Sequence, residues 1–462
     1  MPRLVIVSNR VPLPVAGAPK AGGLAVALKD VVKPGALWFG WSGEIVDQTP
    51  AEARTLTAGG VTYATLGLSQ ADYDAFYVGF SNESLWPLLH FRPGLVEFER
   101  ENYLGYLRVN EAFARALKPL LQPGDLIWIH DFHLIPLGAA LRRLGVTARL
   151  GFFLHVPFVP PRVMDVLPTA KDIIADLCAF DLIGFQTKND ARDFIDCART
   201  LSGATATPEG VATARGEARV IVNPIGIDAA AFAALARRSA AGAEVARLRA
   251  SLQGRSLIVG VDRLDYSKGL ANRFEAFARL LAARPEHRGA VSMLQIAARS
   301  REDVGEYQRL KRDLDRKAGE INGRFGQIDW VPIRYMTRSV ARPTIAGLCR
   351  IARIGLVTPL RDGMNLVAKE FVAAQVPEDP GVLVLSRFAG AAEDMTDALL
   401  VNPTDADEIA DALHQALVMP LEERRDRHAK LMAAVERSSA EVYATRFVAA
   451  LAAPRAGEAL SA

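Results

Sequence analysis

IGLVTPLRDGMNLVAKEFVAAQ, which runs from Ile354 to Gln375, gives the clearest view of the architecture. It begins with an apolar run, Ile354–Thr358, passes through a turn that contains Gly363, and continues into an amphipathic segment, Leu366–Gln375. An apolar run without alternation is typical of a parallel strand that helices cover on both faces. The stretch therefore predicts a strand, a turn and a helix, which is the repeating unit of a doubly wound α/β sheet.

The same alternation continues in both directions along the chain. The other predicted strands are Leu4–Val7, Leu126–Ile129, Leu150–Leu154, Leu182–Phe185, Val220–Val222, Leu257–Val261, Val291–Ile296, Ile328–Val331 and Val382–Leu385, and further predicted helices are Glu111–Leu121, Arg273–Ala283 and Val304–Ala318. The alternation weakens between Asp228 and Arg255, a segment rich in Ala, Arg and Ser that we interpret as a helical connector. We expect two Rossmann-like lobes facing across a cleft, over residues 1–240 and 241–440, with a helix at about 440–455 that packs back onto the first lobe.

Length and composition exclude several classes of protein. The chain has 462 residues, which is too many for one ordinary core, and its net charge of +3 comes without a basic run of the kind that binds nucleic acid. No stretch approaches the ~20 apolar residues of a membrane helix, and the first apolar run, Leu4–Val7, is too short for a signal peptide. Three cysteines without a CxxC pattern favour free thiols. We expect a cytoplasmic protein that binds neither nucleic acid nor membrane.

Polar residues follow the strand at Ile354–Thr358, where ligands bind in open α/β sheets. Gly363 frees the turn, and the first amides of the following helix point outwards, which suits an anion. Asp362 lies beside these amides and can accept hydrogen bonds from sugar hydroxyls, while Glu370 is placed to reach a ribose. The alternative is a plain strand–turn–helix in which Asp362 caps the helix.

Two cations follow the strand at Leu257–Val261. Arg263 and Lys268 are five residues apart on the predicted loop, and together they can bind a phosphate group. The alternative is a surface loop in which Arg263 pairs with Asp262 or Asp265.

Other strand ends carry weaker signals. The paired glycines Gly22 and Gly23 allow close approach of a ligand, but the full G-x-G-x-x-G fingerprint of a dehydrogenase is absent. His130 and His133 have a spacing that resembles metal ligands, but no third ligand is suggested, and a hydrogen-bonding role for the intervening Asp131 is simpler.

Two acidic pairs resemble the D-x-D metal motif of some transferases. Asp313 and Asp315 lie in a charged helical run, and Asp405 and Asp407 begin another predicted helix. Both pairs are better interpreted as solvated faces and caps. We therefore expect no catalytic metal ion and no cofactor.

Ten segments, taken in order, resemble the family of trehalose-6-phosphate synthases over nearly the whole chain. They are SNRVPLP, AGGLAVAL, WFGWSGE, LWPLLHF, WIHDFHL, FFLHVPF, GFQTKND, NPIGID, DRLDYSKGL and TPLRDGMNLVAKE. The resemblance implies the two-lobe GT-B arrangement and a metal-independent transfer of glucose to glucose 6-phosphate, which yields α,α-trehalose 6-phosphate. UDP-glucose is the default donor, although ADP- or GDP-glucose would use the same phosphate and ribose contacts.

The resemblance also implies roles for individual residues. The implied catalytic residues are Arg263, Lys268, Asp362 and His155. The implied donor-binding residues are Gly22, Gly23, Arg263, Lys268, Asp362, Gly363, Met364, Asn365, Leu366, Val367 and Glu370. The implied acceptor-binding residues are Arg10, Tyr77, Trp86, Asp131 and Arg301. In this family the configuration is thought to be retained through reaction on the front face, in which the leaving phosphate oxygen takes the acceptor proton.

Two alternatives of function stay open beside this interpretation. One is a sister enzyme such as glucosylglycerol-phosphate synthase, which would keep the donor residues and change the acceptor residues. The other is a catalytically silent sensor of sugar phosphates. The pair Ala298-Arg299 departs from the family pattern and adds a cation near the expected acceptor phosphate. A phosphatase motif D-x-D-x-T is absent from the sequence, so a separate phosphatase is expected downstream, and whether the chain forms a homo-oligomer stays open.

Overall fold

The computed structural model describes residues 2–14, 32–214, 216–299 and 305–454. They form two compact units, the first made of Met1–Ile225 with Ala440–Ala462 and the second of Gly226–Ser439. Each unit is built on one mainly parallel sheet with helices between the strands, which confirms the expected α/β class with two parallel-sheet lobes.

The strands and helices alternate along most of the described chain. The strands are β1 (Leu4–Arg10), β2 (Leu37–Val46), β3 (Arg54–Ala58), β4 (Val61–Ser69), β5 (Leu126–His130), β6 (Arg149–Phe153), β7 (Leu182–Phe185), β8 (Thr205–Thr207), β9 (Gly210–Thr213), β10 (Gly216–Val222), β11 (Ser256–Arg263), β12 (Val291–Ala298), β13 (Ile333–Met336), β14 (Ile354–Val357), β15 (Val382–Ser386) and β16 (Leu399–Val401). The longer α-helices are α1 (Arg100–Leu117), α2 (Leu137–Arg143), α3 (Ala170–Leu177), α4 (Lys188–Leu201), α5 (Ala229–Ser239), α6 (Ala243–Leu252), α7 (Leu270–Ala283), α8 (Gly305–Phe325), α9 (Arg342–Ile351), α10 (Leu366–Ala374), α11 (Ala406–Val418), α12 (Leu421–Arg437) and α13 (Ala440–Ala452). A π-helix spans Tyr73–Leu85.

The sheet of the first unit has the strand order β3-β4-β2-β1-β5-β6-β7-β10-β9-β8. Its central strands from β4 to β10 pair in parallel, and the outer pairs β3–β4, β9–β10 and β8–β9 are antiparallel. The strand order reverses between β1 and β5, so the residues that follow these two strands flank a topological switch point.

The sheet of the second unit has the order β13-β12-β11-β14-β15-β16, and all of its strand pairs are parallel. Its switch point lies between β11 and β14. Apolar residues of α7 and α11, among them Phe274, Phe277 and Leu413, pack into one buried core beneath this sheet. The buried face explains why these helices carry apolar residues at helical spacing.

The expected boundary near Ala240 is displaced, because α5 belongs to the second unit. This helix packs against α9, and the Arg342 guanidinium lies 5.4 Å from the centroid of the Phe232 ring. The change of unit therefore falls between Ile225 and Gly226, before α5 rather than after it.

The prediction of a strand at Ile328–Val331 is wrong. Gln327 and Trp330 exchange two backbone hydrogen bonds of 2.9 and 3.1 Å, which close a tight turn and leave Ile328 fully exposed. The edge strand of the sheet is instead β13, which begins one residue after Pro332 and pairs with β12. Three strands near the N-terminus, β2, β3 and β4, were not predicted from the sequence.

The last described helix, α13, returns to the first unit and packs on β5, β6 and β7. Its Phe447 is fully buried and stacks on Trp128 with ring centroids 4.5 Å apart. The chain thus passes between the units at two places. A Cβ on Gly226 would lie 1.2 Å from the Ser438 carbonyl oxygen, so the two passages run in backbone contact and only glycine fits. None of the described helices is both long and apolar enough to span a bilayer.

Candidate active-site residues in the two units

The loop after β11 forms one side of the switch point in the second unit. Asp265 shapes the loop, because its carboxylate accepts a hydrogen bond of 2.9 Å from the Ser267 amide. Gly269 ends it with φ of 66°, and a Cβ there would lie 2.4 Å from the Thr358 carbonyl oxygen of the β14 end. The loop is therefore held close against the residues that follow β14.

Lys268 and Asp362 form a shielded ion pair across this switch point. Lys268 Nζ lies 2.5 Å from Asp362 Oδ2, and the side chains are only 9% and 14% exposed. Asn365 Nδ2 donates a second hydrogen bond of 3.0 Å to the same carboxylate oxygen. The backbone of Asp362 is also fixed, since its amide donates to Phe388 and its carbonyl accepts from Gly390. The ammonium group is thus held in one position before any ligand binds.

A buried arginine, Arg273, supports this pair from below. Its guanidinium donates hydrogen bonds to Asp262 Oδ2, Thr358 Oγ1, Gln295 Oε1 and the carbonyl oxygen of Lys268. The side chain is fully buried. These contacts join the carboxyl ends of β11, β12 and β14 to the loop that carries Lys268.

The charge balance around Arg273 is reflected in the pKa of Asp262. Burial raises this pKa above its usual range, and the nearby Arg273 and Lys268 charges oppose that rise. The Asp262 carboxylate therefore depends on both cations.

The helix α10 begins at Leu366, as the sequence predicts, and Gly363 lies in the turn before it. Asn365 precedes the helix with φ of 76°, so the residues from Gly363 to Asn365 form a turn outside the helix. Asp362 is consequently not the helix cap, because its carboxylate contacts Lys268. The amides at the helix start, the feature that favours an anion, belong to Leu366 and Val367.

The remaining donor candidates of the second unit differ from one another in their surroundings. Glu370 lies on α10 and pairs with Arg342 of α9 at 3.1 Å. Burial raises the pKa of Glu370, and the Arg342 charge opposes this rise. Arg263, at the end of β11, has an exposed side chain. Met364 is buried beside the same turn.

Asp131 occupies the switch point of the first unit, immediately after β5. Its backbone has φ of 77° and ψ of 164°, a region that residues other than glycine rarely adopt. Its amide donates to Phe153, and its Oδ1 accepts a hydrogen bond of 3.2 Å from the His155 amide. The strained backbone is thus stabilised by contacts with the end of β6, which turns the Asp131 carboxylate towards the residues after that strand.

Arg10 ends β1 on the other side of this switch point. Its guanidinium lies 5.3 Å from the centroid of the Trp41 ring, and it forms no ion pair with any carboxylate in the part of the chain that the structure describes. Tyr77 lies in the π-helix, 6.0 Å from Trp41, and stacks on His133 at 5.7 Å. Isolated π-helical turns are frequent at functional sites. The ring contacts join Trp41, Tyr77 and His133 into a run of packed rings beside the Arg10 cation, and Tyr77 is the one of the three that is partly exposed.

Trp86 is not part of this run of rings. Only 4% of the residue is exposed, and its ring packs on Phe132 with centroids 5.7 Å apart. Phe132 follows Asp131 directly and also contacts His133. Trp86 therefore packs against the run of rings through Phe132. The other expected residues of these sites, Gly22, Gly23 and Arg301, lie outside the described residues.

His155 takes part in a chain of neutral hydrogen bonds. The Ile225 amide donates to Gln186 Oε1 at 2.9 Å, so the Gln186 amide nitrogen faces His155 Nδ1 at 3.4 Å. His155 Nδ1 must then accept, which places its proton on Nε2, 3.1 Å from His130 Nδ1. Burial lowers the pKa of His155 to about 3 and that of His130 well below its usual range. Both imidazoles are thus neutral at physiological pH.

The acidic pairs and the histidine pair that resembled metal motifs have other contacts. Asp313 pairs with Arg316 and Asp315 with Lys311, while Asp405 accepts two amide hydrogen bonds at the start of α11. His130 and His133 contact different partners. These contacts are those expected of surface ion pairs, a helix cap and packed rings.

Four residues of these networks were not assigned a role from the sequence. Trp41 and Gln186 lie within WFGWSGE and GFQTKND, two of the segments that carry the family resemblance, so membership of those segments was a usable signal. His130 had been considered only as a metal ligand. Arg273 had no local signal, because its partners are far away in the sequence.

Comparison with known proteins places these residues in a family. The model of glycosyltransferase family 20 matches residues 3–453. The trehalose-6-phosphate synthase of Sinorhizobium fredii is 49% identical over 439 residues, which cover 94% of each chain.

Two solved structures are similar throughout. One is an α,α-trehalose-phosphate synthase (UDP-forming) from Burkholderia xenovorans in complex with glucose-6-phosphate, with a TM-score of 0.94, 46% identity and coverage of 97% of this chain and 100% of that one. The other, from E. coli and bound with UDP-2-fluoro glucose, has a TM-score of 0.92, 45% identity and coverage of 98% and 99%. The sequence and the fold therefore agree, and the chain belongs to glycosyltransferase family 20.

Proposed function

We propose that this chain transfers glucose from UDP-glucose to glucose 6-phosphate and releases α,α-trehalose 6-phosphate and UDP. The observation that carries this proposal is the Lys268–Asp362 pair at the β11–β14 switch point, with Arg263 at the end of the same strand. A cation held in a sheltered position is what a diphosphate leaving group requires. The similar proteins from Burkholderia xenovorans and E. coli, bound with glucose-6-phosphate and UDP-2-fluoro glucose, support the same two substrates.

In this proposal the second unit binds the donor. Arg263 and Lys268 bind the diphosphate, and the amides at the start of α10 add the positive end of the helix dipole. Asp362 orients Lys268 and binds hydroxyls of the transferred glucose, together with the turn from Gly363 to Asn365. Glu370 binds the ribose. Gly22, Gly23 and His155 complete the contacts to the sugar and phosphates.

The first unit supplies most of the acceptor contacts. Arg10 has no described carboxylate partner, which leaves its charge available for the phosphate of glucose 6-phosphate. Arg301 is the second phosphate ligand in this proposal. Tyr77 contacts the sugar, Asp131 accepts from its hydroxyls, and Trp86 packs behind them through Phe132.

The chemistry follows from these positions. The donor and the product are both α-linked, so configuration is retained. Because UDP leaves as an anion, no acid is needed to expel it, and Arg263 and Lys268 stabilise the charge that develops on the phosphate. The departing phosphate oxygen accepts the proton of the attacking hydroxyl on the same face of the sugar. Neither a metal ion nor another cofactor takes part in this scheme, since the cations of the chain supply the charge.

The product would be consumed by a separate phosphatase that removes its phosphate. We place the enzyme in the cytoplasm, where nucleotide sugars are available and where the three buried cysteines stay as free thiols.

The decisive experiment measures UDP release from UDP-glucose with and without glucose 6-phosphate, followed by identification of the product by mass and anomeric configuration. Release that depends on the acceptor, with a retained α,α-linked product, is expected. Release with glycerol 3-phosphate but not glucose 6-phosphate would indicate the glucosylglycerol-phosphate reaction. Release with neither acceptor would indicate a sensor, and parallel assays with ADP- and GDP-glucose test the choice of base.

A further inference from the structure

Three metal-ligating side chains converge in the second unit, away from the residues proposed to bind the donor. His287 Nε2 and His414 Nδ1 lie 2.9 Å apart. A carboxylate oxygen of Glu286 lies with both nitrogens in a group whose atoms are all within 4.8 Å of one another. His287 is buried, His414 is half-buried and Glu286 is exposed, so the group lies at the protein surface with one side open to solvent.

The convergence is built into the packing of two helices. Asn272 near the start of α7 donates a hydrogen bond of 2.9 Å to the Pro403 carbonyl oxygen, just before α11. One to two turns later Arg279 pairs with Asp407 at 2.6 Å. His287, beyond the end of α7, then meets His414 on α11. The two helices therefore run side by side in the same direction, and the histidine pair closes the end of their contact.

We propose that His287, His414 and Glu286 form a binding site for Zn²⁺ that fastens the end of α7 to α11. Two imidazoles and one carboxylate are a common zinc ligand set, and water can occupy the fourth position on the open side. Divalent zinc also suits this mixture of nitrogen and oxygen donors better than Mg²⁺ or Ca²⁺, which prefer oxygen ligands alone.

The histidine geometry requires only a small adjustment. Zinc–nitrogen bonds of 2.0–2.1 Å at a tetrahedral angle separate two nitrogens by roughly 3.3 Å, so the 2.9 Å contact must open by a few tenths of an ångström. The proton between the two rings moves to the outer nitrogen of the ring that carries it. Each neutral ring then holds its one proton on the outer nitrogen, His287 Nδ1 or His414 Nε2, and both facing lone pairs are free.

Neighbouring cations limit the affinity without blocking the site. Arg284 is exposed three residues before His287, and its charge opposes that of the metal ion. The guanidinium of Arg288 is engaged elsewhere, since it donates to the carbonyl oxygens of Leu281 and Ala282 and lies over the Phe325 ring. Glu286 supplies the one anionic ligand that offsets Arg284.

The site has a structural and not a catalytic role. Lys268 precedes the first residue of α7, and His287 follows its last, so a helix of 14 residues separates them, or about 20 Å. A metal ion at the far end would stabilise the contact of α7 with α11 and leave the reacting groups untouched. This inference does not depend on the proposed glucosyltransferase activity.

The test uses the untagged full-length protein after treatment with a chelator and its removal. Isothermal titration with ZnCl₂ should show one ion per chain, and the melting temperature should rise by a few degrees at saturating Zn²⁺. All three cysteines are buried, so thiols contribute little background binding. Replacement of Zn²⁺ by Co²⁺ should give the visible absorption of a tetrahedral site.

Variants assign the ligands. His414→Gln and the double variant His287→Gln/His414→Gln should lower zinc affinity at least about 100-fold, and Glu286→Gln about 10-fold. The matched control Glu422→Gln changes an exposed carboxylate elsewhere in the unit and should bind as the parent does. Because His414 is half-buried, its single substitution should disturb the fold less than the double variant, which keeps the test valid if the double variant is unstable. Absence of zinc binding by the parent protein, or unchanged affinity in His414→Gln, would overturn the proposal.

Discussion

Each unit contains one topological switch point, and the side chains that line the two switch points differ in kind. At the β11–β14 switch point of the second unit, the side chains are charged and paired, with Arg273 beneath Lys268 and Asp362. At the β1–β5 switch point of the first unit, they are mostly aromatic or neutral, with the His130–His155 pair beside Asp131 and Arg10 at the edge. A diphosphate needs cations, whereas a sugar ring can be bound by ring faces and neutral hydrogen bonds. One scaffold can thus serve both ligands through the residues that follow its strands.

Because one site is held by buried charges and the other by neutral hydrogen bonds, different changes should disrupt them. A buried charge network depends on every partner, because an unpaired charge is costly away from water. A neutral histidine network tolerates the loss of one bond better but is disrupted when acid protonates its rings.

The largest effect is expected from a substitution that breaks the charged network. Replacement of Arg273 by Met should lower the free energy of unfolding of the second unit by about 3–5 kcal/mol, because the Asp262 carboxylate is left buried without its partner. Urea titration measures the change, and the exposed Arg247→Met in the same unit is the control. Arg273→Lys should recover only part of the loss, since an ammonium cannot reach all four acceptors. Equal stability of Arg273→Met and the control would show that the network is not required.

The next effect concerns turnover. Lys268→Ala or Arg263→Ala should lower kcat at least about 100-fold, which corresponds to about 2.7 kcal/mol of lost transition-state stabilisation. Initial rates at saturating UDP-glucose and glucose 6-phosphate measure it, and circular dichroism checks that the fold survives. The exposed Lys171→Ala serves as the control. Near-normal turnover in both variants would remove the donor assignment.

A third effect concerns how the stability of the first unit depends on pH. The pKa of His155 is about 3 in the folded chain and 6.5 for an unperturbed histidine, so between these values the unfolded chain binds a proton that the folded chain does not. The stability that His155 contributes is therefore complete above pH 6.5 and is lost as the pH falls towards 3. His130 acts in the same direction. Melting curves between pH 7 and pH 4 should show this loss.

The matching variant is His130→Gln/His155→Gln, which removes both titrating groups. We expect a weaker dependence of its melting temperature on pH across the same range, whatever its stability at pH 7. An unchanged slope would mean that other groups of the first unit cause the sensitivity to acid.

The smallest effect concerns the ribose. Glu370→Gln should raise KM for UDP-glucose about fivefold with kcat nearly unchanged, because a charged hydrogen-bond acceptor is replaced by a neutral one. The half-buried pairing with Arg342 limits the effect, since the amide can still contact that guanidinium. The exposed Glu436→Gln is the control. A fall in kcat with unaltered KM would instead place Glu370 nearer the reacting groups.

The strand ends could be predicted because a parallel strand that is buried on both faces is an uninterrupted apolar run in the sequence. Lys268, Asp362 and Asp131 each follow such a run, so the sequence alone predicted that they lie at strand ends. The strand order that puts these ends at switch points is known only from the structure. The strands β2 and β4 were missed because polar residues and glycines interrupt the apolar pattern of each. Ile328–Val331 was misread because its apolar residues sit in a turn closed by Gln327 and Trp330.

The detailed geometry of the two sites could not be predicted from short stretches of the sequence. The shape of the turn before α10 depends on the positive φ of Asn365, which its position in the sequence does not reveal. The role of Arg273 depends on partners from two other strand ends. The neutral state of His155 depends on an amide of Ile225 that orients Gln186. In the last two cases the decisive contact joins segments that are far apart along the chain.

The return of α13 to the first unit has a consequence for the order of synthesis. Phe447 fills a place against Trp128 in the first unit, yet more than 200 residues of the second unit separate it from Ile225. At about 5–20 residues per second, a ribosome needs on the order of 10–40 s to make that intervening stretch. Throughout that interval the first sheet emerges with its Trp128 face uncovered, while the second unit, continuous in sequence, can finish folding. The unit that begins the chain is therefore the last to be completed.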